Sequence, residues 1–196
     1  NLLAAAKSLE TIDKIANKDD YFSFLSLAWI HEQVLSITMP LTTGMVINFP
    51  EKPHTVLTDL REIGPQTLLA PPRVYQTILS NFTTRIQGTS WFKNKVYQTF
   101  KKYGDKVARA KLNNQPISSA DQLMYRLGDL LVFSAIRDHL GLARIKRAYV
   151  AGATLETEAF YFFHSIGVNV KQSYGGTELA GIAFVQRDAD IHVESA

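Results

Sequence analysis

Short apolar runs alternate with amphipathic stretches over most of the chain, and this alternation limits the fold more than any other feature. Strand-like runs occupy residues 21–27, 44–49, 66–70, 148–151, 168–171 and 181–186. Helix-like stretches occupy residues 2–16, 28–39, 54–63, 71–86 and 154–165, and Pro40 is expected to close the second of them. The pattern predicts an α/β fold in which helices cover a parallel or mixed sheet. Ligands of such folds bind beyond the carboxyl ends of the strands.

The alternation is interrupted at about residues 90–142, where helical periodicity continues without an intervening strand. A pair of helices inserted into the fold is therefore predicted. Ser119 and Gln122 have the spacing of a capping box at the start of the second helix. Four leucines of that helix recur on one face and are expected to be core, namely Leu123, Leu127, Leu130 and Leu131.

The first helix of the pair is basic. Its cationic residues are Lys93, Lys95, Lys101, Lys102, Lys106, Arg109 and Lys111. Two interpretations stand: an ordinary solvated face, or a peripheral contact with an acidic membrane surface or a phosphate-rich ligand.

Composition narrows the class of protein. A chain of 196 residues with 46% hydrophobic content can bury a sizeable core, and its length suggests one domain or a large piece of one. A net charge of +3 with nearly balanced acids and bases does not indicate a nucleic-acid-binding protein. The absence of cysteine excludes disulfides and thiolate chemistry and is compatible with the cytoplasm. No apolar run approaches the roughly 20 residues of a membrane span, and the first residues do not have the pattern of a signal peptide.

Two segments rich in small residues follow predicted strands. Gly152-Ala153-Thr154 comes after the strand at 148–151, and Thr154 is a candidate N-cap of the next helix. Gln172-Ser173-Tyr174-Gly175-Gly176-Thr177-Glu178 offers a ring for stacking a base, glycines for a sharp turn, and a hydroxyl and a carboxylate for phosphate and magnesium. The alternatives are a plain strand-to-helix turn and a plain Gly-Gly turn.

Other active-site patterns are not met. A serine-hydrolase elbow fails because Lys171 stands where its first glycine should be. His31-Glu32 begins like a zinc-protease helix, but Leu35 lies where the second histidine should be. The histidines show no metal-ligand spacing, so each is expected to be a surface residue or a hydrogen-bonded core residue.

Five motifs together resemble the adenylate-forming superfamily and, within it, the bacterial long-chain fatty acid–CoA ligases. They lie at residues 25–33, 60–65, 70–75, 150–153 and 174–178, in the order and spacing of that family. The resemblance implies part of the large N-terminal AMP-binding domain. It also implies a two-step reaction, in which a fatty acid and ATP form an acyl-adenylate and CoA then displaces AMP, assisted by Mg²⁺.

The resemblance also implies residue roles. Tyr174 would stack on adenine, Gly152 and Ala153 would lie near the base and the acyl chain, and Thr177 would bond the α-phosphate. Glu178 would hold magnesium, and with Thr177 it would be catalytic. The nucleotide-binding set would be Gly152, Ala153, Thr154, Gln172, Ser173, Tyr174, Gly175, Gly176 and Thr177. Trp29 stands where many relatives carry histidine, at the mouth between the acyl and CoA sites.

Three family elements do not occur between Asn1 and Ala196. They are the phosphate-binding loop, the ribose-binding aspartate and the catalytic lysine of the C-terminal domain. The expectation is a chain truncated at both ends that does not catalyse the reaction alone. The alternatives are a ligase for another carboxylic acid and a non-catalytic nucleotide- or acyl-binding module.

Overall fold

The computed structural model describes residues 1–188 and 190–193, and a mixed β-sheet forms its centre. The strands are β1 (Asp20–Phe22), β2 (Val46–Asn48), β3 (Thr67–Ala70), β4 (Arg147–Val150), β5 (Val170–Gly176) and β6 (Gly181–Val185). Their order is β2-β1-β3-β4-β5-β6. Strands β1 to β5 are parallel, and β6 is antiparallel to β5. The predicted α/β fold is confirmed.

Helices connect the parallel strands. They are α1 (Leu2–Ile12), α2 (Ile30–Gln33), α3 (Met39–Thr43), α4 (Val56–Ile63), α5 (Pro72–Gln87), α6 (Trp91–Leu112), α7 (Ser119–Gly128), α8 (Ser134–His139) and α9 (Thr157–Ser165). Two π-helical turns, Val34–Thr38 and Asp129–Phe133, join α2 to α3 and α7 to α8. The helical pair predicted at 90–142 is thus present as α6 and α7–α8. No helix among the described residues has the length and apolarity needed to cross a membrane.

Alternate residues of the central strands pack into two separate cores. Phe22, Leu68 and Val150 belong to one core, which is covered by helices α4 to α9. Tyr21, Leu69 and Tyr149 contact the other, which is covered by α1 and the α2–α3 helix. Burial on both faces explains why these strands read as continuous apolar runs in the sequence.

Pro40 does not end its helix, contrary to the prediction. The helix continues to Thr43 and stops at Gly44, which has a left-handed backbone. The π-helical turn just before Pro40 shifts the hydrogen bonds from the fourth to the fifth residue back, and the Met39 N–H bonds to the Val34 carbonyl. A proline, which has no N–H to donate, is tolerated where the regular ladder is already interrupted.

The four leucines predicted to be core lie in α7 and in the π-helical turn that follows it, and this prediction is wrong. Leu123, Leu127, Leu130 and Leu131 are 60%, 42%, 74% and 63% exposed. The helix turns a different face inward, because Gly128 lies so close to α6 that an added Cβ would be 2.8 Å from the Phe100 ring. The predicted capping box is also absent, since Ser118 is the N-cap residue and no side chain caps the helix.

A buried polar cluster joins α1 to the sheet. Lys171 of β5 is almost completely buried, and its Nζ lies 2.5 Å from Oδ1 of Asp13, which follows α1. The hydroxyl of Tyr149 donates to the other oxygen of Asp13 at 2.6 Å. A buried lysine is tolerated here because it is paired and hydrogen-bonded.

Candidate functional site

The carboxyl ends of β4 and β5 lie side by side. Val150 is paired with Gln172 in the sheet, and the hydroxyl of Ser173 donates to the carbonyl of Val150 at 2.9 Å. The segment Gly152-Ala153-Thr154 therefore emerges next to the segment that begins at Tyr174. The structure thus brings together the two segments rich in small residues.

Two side chains of the predicted nucleotide-binding set are already used within the protein. Gln172 is buried, and its Nε2 donates to the carbonyl of Val193 at 2.6 Å. Ser173 is also buried and bonded to Val150. These two residues hold the edge of the sheet together, so any contact from them to a ligand would involve the backbone.

The paired glycines extend β5 and do not form the predicted turn. Gly175 and Gly176 pair with Ile182 and Gly181 of β6, and a register shift occurs between Tyr174 and Gly175. A Cβ on Gly175 would overlap the carbonyl oxygen of Gly181. The chain instead reverses through a 3₁₀ turn at Thr177–Leu179 and a left-handed Ala180. Glycine is needed at 175 because the two strands approach closely there.

Three side chains near this turn are open to solvent. Tyr174 is 59% exposed, with its ring centroid 6.3 Å from that of Phe184. Thr177 and Glu178 are exposed as well. Within the described residues, no hydrogen bond or ion pair occupies the side chain of either. An exposed ring beside a free hydroxyl and a free carboxylate provides stacking and polar contacts on one surface.

Trp29 lies against the segment that follows β4. It is the N-cap residue of α2, and a Cβ on Gly152 would lie 3.1 Å from the end of its ring. Gly152 has a φ of 91°, a left-handed conformation that favours glycine. Trp29 is 38% exposed, so its ring forms part of the surface next to Gly152.

Thr154 is not the N-cap of α9, contrary to the prediction. The N-cap is Glu156, and the helix starts at Thr157. Ala153 and Thr154 are exposed in the connection between β4 and α9. The Thr154 side chain is thus exposed to solvent in the segment that follows β4.

His31 lies beneath the site and was expected to be a surface or a hydrogen-bonded residue. It is only 6% exposed, and its Nε2 has no hydrogen-bond partner. The position of a Cβ on Gly175 would be 3.0 Å from this nitrogen. Burial lowers the pKa of His31, so the ring is neutral near pH 7. Residues four apart on a helix lie on the same face, and Leu35 is buried. The apolar Leu35 is therefore the sequence feature that could have indicated an inward position for His31.

Glu32 is a fully buried carboxyl next to His31. The Tyr21 hydroxyl donates to its Oε2 at 2.6 Å, and the Ser23 hydroxyl donates to its Oε1 at 2.5 Å. Burial raises the pKa of Glu32, and the two hydrogen bonds oppose that shift. The residue ties α2 to β1 and thereby fixes the position of Trp29.

The chemistry of Glu178 fits a magnesium ion only in combination with other ligands. The described residues contain no cluster of three or more histidine, aspartate or glutamate side chains that would hold a metal by itself. Magnesium is commonly bound by one or two carboxylates together with substrate phosphates and water. A single unpaired carboxylate at an open edge is suited to that arrangement.

Comparison with known proteins gives a consistent family. The model of a family described as AMP-binding enzyme matches residues 1–195. Long-chain-fatty-acid–CoA ligase ACSBG2 of Rattus norvegicus is 27% identical over 182 residues, which are 91% of this chain and 27% of that protein. The chain thus spans about a quarter of the length of this relative.

Solved structures have the same fold. A benzoate CoA ligase from Burkholderia xenovorans LB400 superposes with a TM-score of 0.60 and 19% identity, over 98% of this chain and 30% of that one. The anthranilate CoA ligase AuaEII, in complex with anthranoyl-AMP, gives a TM-score of 0.57 and 14% identity, over 99% of this chain and 28% of that one. At these identities the likeness concerns the fold.

Proposed function

The chain belongs to the AMP-binding enzyme family, and from this premise we propose that it is part of an ATP-dependent fatty acid–CoA ligase. The fatty acid carboxylate would attack the α-phosphate of ATP to give an acyl-adenylate and pyrophosphate, and the thiol of CoA would then take the acyl group and release AMP. The observation that carries the proposal is the juxtaposition of Gly152–Thr154 with Tyr174–Glu178 at the carboxyl ends of β4 and β5. This is the edge at which parallel α/β sheets bind ligands.

The open residues suit the roles we assign to them. Tyr174 would stack on adenine with its exposed face, and Gly152 and Ala153 would allow the base and the acyl chain to approach the backbone. Thr177 would donate to the α-phosphate. Magnesium at Glu178 would supply positive charge to the phosphates. Gln172 and Ser173 would support these residues by holding β5 against β4 and the segment at Val193.

We assign a positioning role to Trp29. Its ring packs against Gly152, and Glu32 anchors the start of its helix to β1. This placement supports a wall between the acyl and CoA sites. Replacement of Trp29 by alanine should therefore change the KM for fatty acid or CoA more than the KM for ATP.

Long-chain fatty acids are the substrates we propose, since the ACSBG2 relative is named for them. The test is hydroxylamine trapping of the acyl-adenylate by the whole encoded protein, with acids from acetate to stearate and with benzoate. Highest activity with long-chain acids would support the assignment. Highest activity with benzoate would mean that the substrate is another carboxylic acid. A complete lack of ATP-dependent trapping would favour a non-catalytic binding module.

We also propose that the chain is part of a larger domain. The sequence does not contain the phosphate-binding loop, the ribose-binding aspartate or the catalytic lysine of the adenylate-forming enzymes that it resembles. Determining the coding sequence on both sides of this chain tests this directly. A phosphate-binding loop upstream, with an aspartate motif and a lysine downstream, is the expected result. A reading frame that closes at both ends would contradict it.

A peripheral membrane contact through α6 is the last part of the proposal. Lys93, Lys95 and Lys102 are exposed on this helix, whereas Lys101 is paired with Asp105 at 2.5 Å. Exposed lysines beside exposed Trp91 and Phe92 have the composition of an interfacial helix. Changing Lys93, Lys95 and Lys102 to glutamine should reduce sedimentation with anionic vesicles. Unchanged sedimentation would remove this part of the proposal.

A further inference from the structure

A cavity lies near the amino ends of the parallel strands, away from the candidate site. It has a volume of about 150 Å³ and is formed by α4, α5 and the end of α8. Helices α4 and α8 lead into β3 and β4, so their last turns lie at the amino ends of these strands. The cavity is therefore separate from the site at Gly152 and Tyr174, which lies at the carboxyl ends.

Three nitrogen-bearing side chains converge on this cavity. Arg61 is in the last turn of α4, Arg85 is in the last turn of α5, and His139 is the last residue of α8. Nη1 of Arg85 lies 2.8 Å from Nε2 of His139. Because a guanidinium can only donate, Nε2 accepts this bond, and the imidazole is neutral with its proton on Nδ1.

The two arginines lack carboxylate partners among the described residues. Within the described residues, neither Arg61 nor Arg85 forms an ion pair. Burial, followed by the charges of Arg61 and Arg85, lowers the pKa of His139, and Asp138 opposes this only as the smallest influence. The cavity is thus a locally cationic region in which neither exposed arginine has an ion-pair partner among the described residues.

The helix dipole explains why each arginine is favoured in the last turn of its own helix, but it does not explain why both arginines line the same cavity. A cation in the last turn of a helix is favoured by the partial negative charge there. That effect does not require the ends of α4 and α5 to direct their arginines at one cavity, where the two like charges repel one another. An anion bound between the two guanidinium groups would relieve this repulsion.

The lining indicates the kind of anion. Thr58 and Asn81 add polar groups at the rim, and the buried side chains of Leu60, Ile78 and Phe82 form an apolar floor. Guanidinium groups match the geometry of phosphate oxygens. We propose that this cavity, which we call the arginine cavity, binds a phosphate-type oxyanion between Arg61 and Arg85, with room on its apolar floor for a small alkyl group.

The test is an NMR titration of the His139 ring with inorganic phosphate and, separately, with butyl phosphate, at ionic strength held constant with sodium chloride. We expect a saturable shift of the His139 signals and a rise in its pKa of about 1 unit in phosphate, because an adjacent anion favours the imidazolium. The double variant Arg61→Gln/Arg85→Gln should bind at least about 10-fold more weakly. Arg126→Gln, which removes an exposed arginine of α7, is the matched control and should bind like the parent protein.

Thermal unfolding distinguishes binding from a structural role of the arginines. Without phosphate, the double variant should keep the Tm of the parent protein or exceed it, because repulsion is removed. With phosphate, only the parent protein and the Arg126→Gln variant should gain Tm. Equal phosphate responses in all three proteins, or an equal response to chloride, would overturn the proposal. Tighter binding of butyl phosphate would assign the ligand to organic phosphates, and equal binding would assign it to inorganic phosphate.

Discussion

At the scale of single residues, the candidate site depends on two close approaches of the backbone. Gly175 faces the carbonyl of Gly181 and the unpartnered Nε2 of His31. Gly152 faces the ring of Trp29. The Tyr174, Thr177 and Glu178 side chains are exposed in and after β5, which is the condition for their proposed use in binding a nucleotide.

Replacement of Gly175 by alanine should destabilise the chain by about 3 kcal/mol or more, because the Cβ would overlap a strand backbone that cannot move independently. The matched control is Gly176→Ala. Gly176 has an extended backbone, with a φ of −162°, and an added Cβ there would meet only the flexible Glu178 carboxylate, at 3.0 Å. The control should cost less than about 1 kcal/mol. Urea unfolding of both variants makes the comparison, and equal costs would show that the strands do not approach closely at residue 175.

At the scale of elements, the sequence predicted the existence and type of most segments, and tertiary packing decided the rest. The β/α alternation and the helical pair at 90–142 were readable because their periods persist over many residues. The inward face of α7 was not readable, since four leucines at helical spacing suggested a core and Gly128 in fact faces α6. The end of β5 was also missed, because a Gly-Gly pair indicates a turn until β6 is known to pair with it.

The exposure of the leucines predicts very different costs for two substitutions in the π-helical turn that follows α7. Leu130→Gln should change the free energy of unfolding by no more than about 0.5 kcal/mol, because Leu130 is mostly exposed. Phe133→Ala should cost about 3–5 kcal/mol, because Phe133 is completely buried. Denaturant unfolding measures both. A large loss for Leu130→Gln with a small one for Phe133→Ala would mean that the leucines are core after all.

At the scale of the whole molecule, one sheet separates two hydrophobic cores, and the two ends of its parallel strands carry different groups of residues. The residues proposed for nucleotide binding lie at the carboxyl ends of the strands, and the arginine cavity lies near their amino ends. Composition and periodicity predicted the sheet. The roles of Tyr174, Thr177 and Glu178 came from the resemblance of their motif, because three adjacent residue types are compatible with an ordinary turn.

Stability should fall as the pH is lowered from about 6.5 to 4. Burial lowers the pKa of His164 from 6.5 to about 4, although the hydrogen bond to the carbonyl of Val170 opposes the shift. The unfolded chain therefore binds this proton first, so the contribution of the neutral ring is complete above pH 6.5 and is lost towards pH 4. The loss is on the order of 3 kcal/mol.

Urea unfolding at several pH values checks this expectation. His164→Gln should flatten the profile between pH 6.5 and 4, whereas His54→Gln, at an exposed position, should leave its slope unchanged. A profile that does not change with His164→Gln would contradict the assignment.

Pyrophosphate release with ATP and a long-chain fatty acid, measured on the whole encoded protein with and without Glu178→Ala, tests the central claim most directly. The account predicts a loss of roughly 100-fold in kcat for Glu178→Ala, with unfolding unchanged. It predicts no loss for Glu62→Ala, which removes an exposed carboxylate from the last turn of α4. Equal pyrophosphate release by the Glu178→Ala variant and the parent protein would contradict the assignment of this edge as the site of adenylate formation.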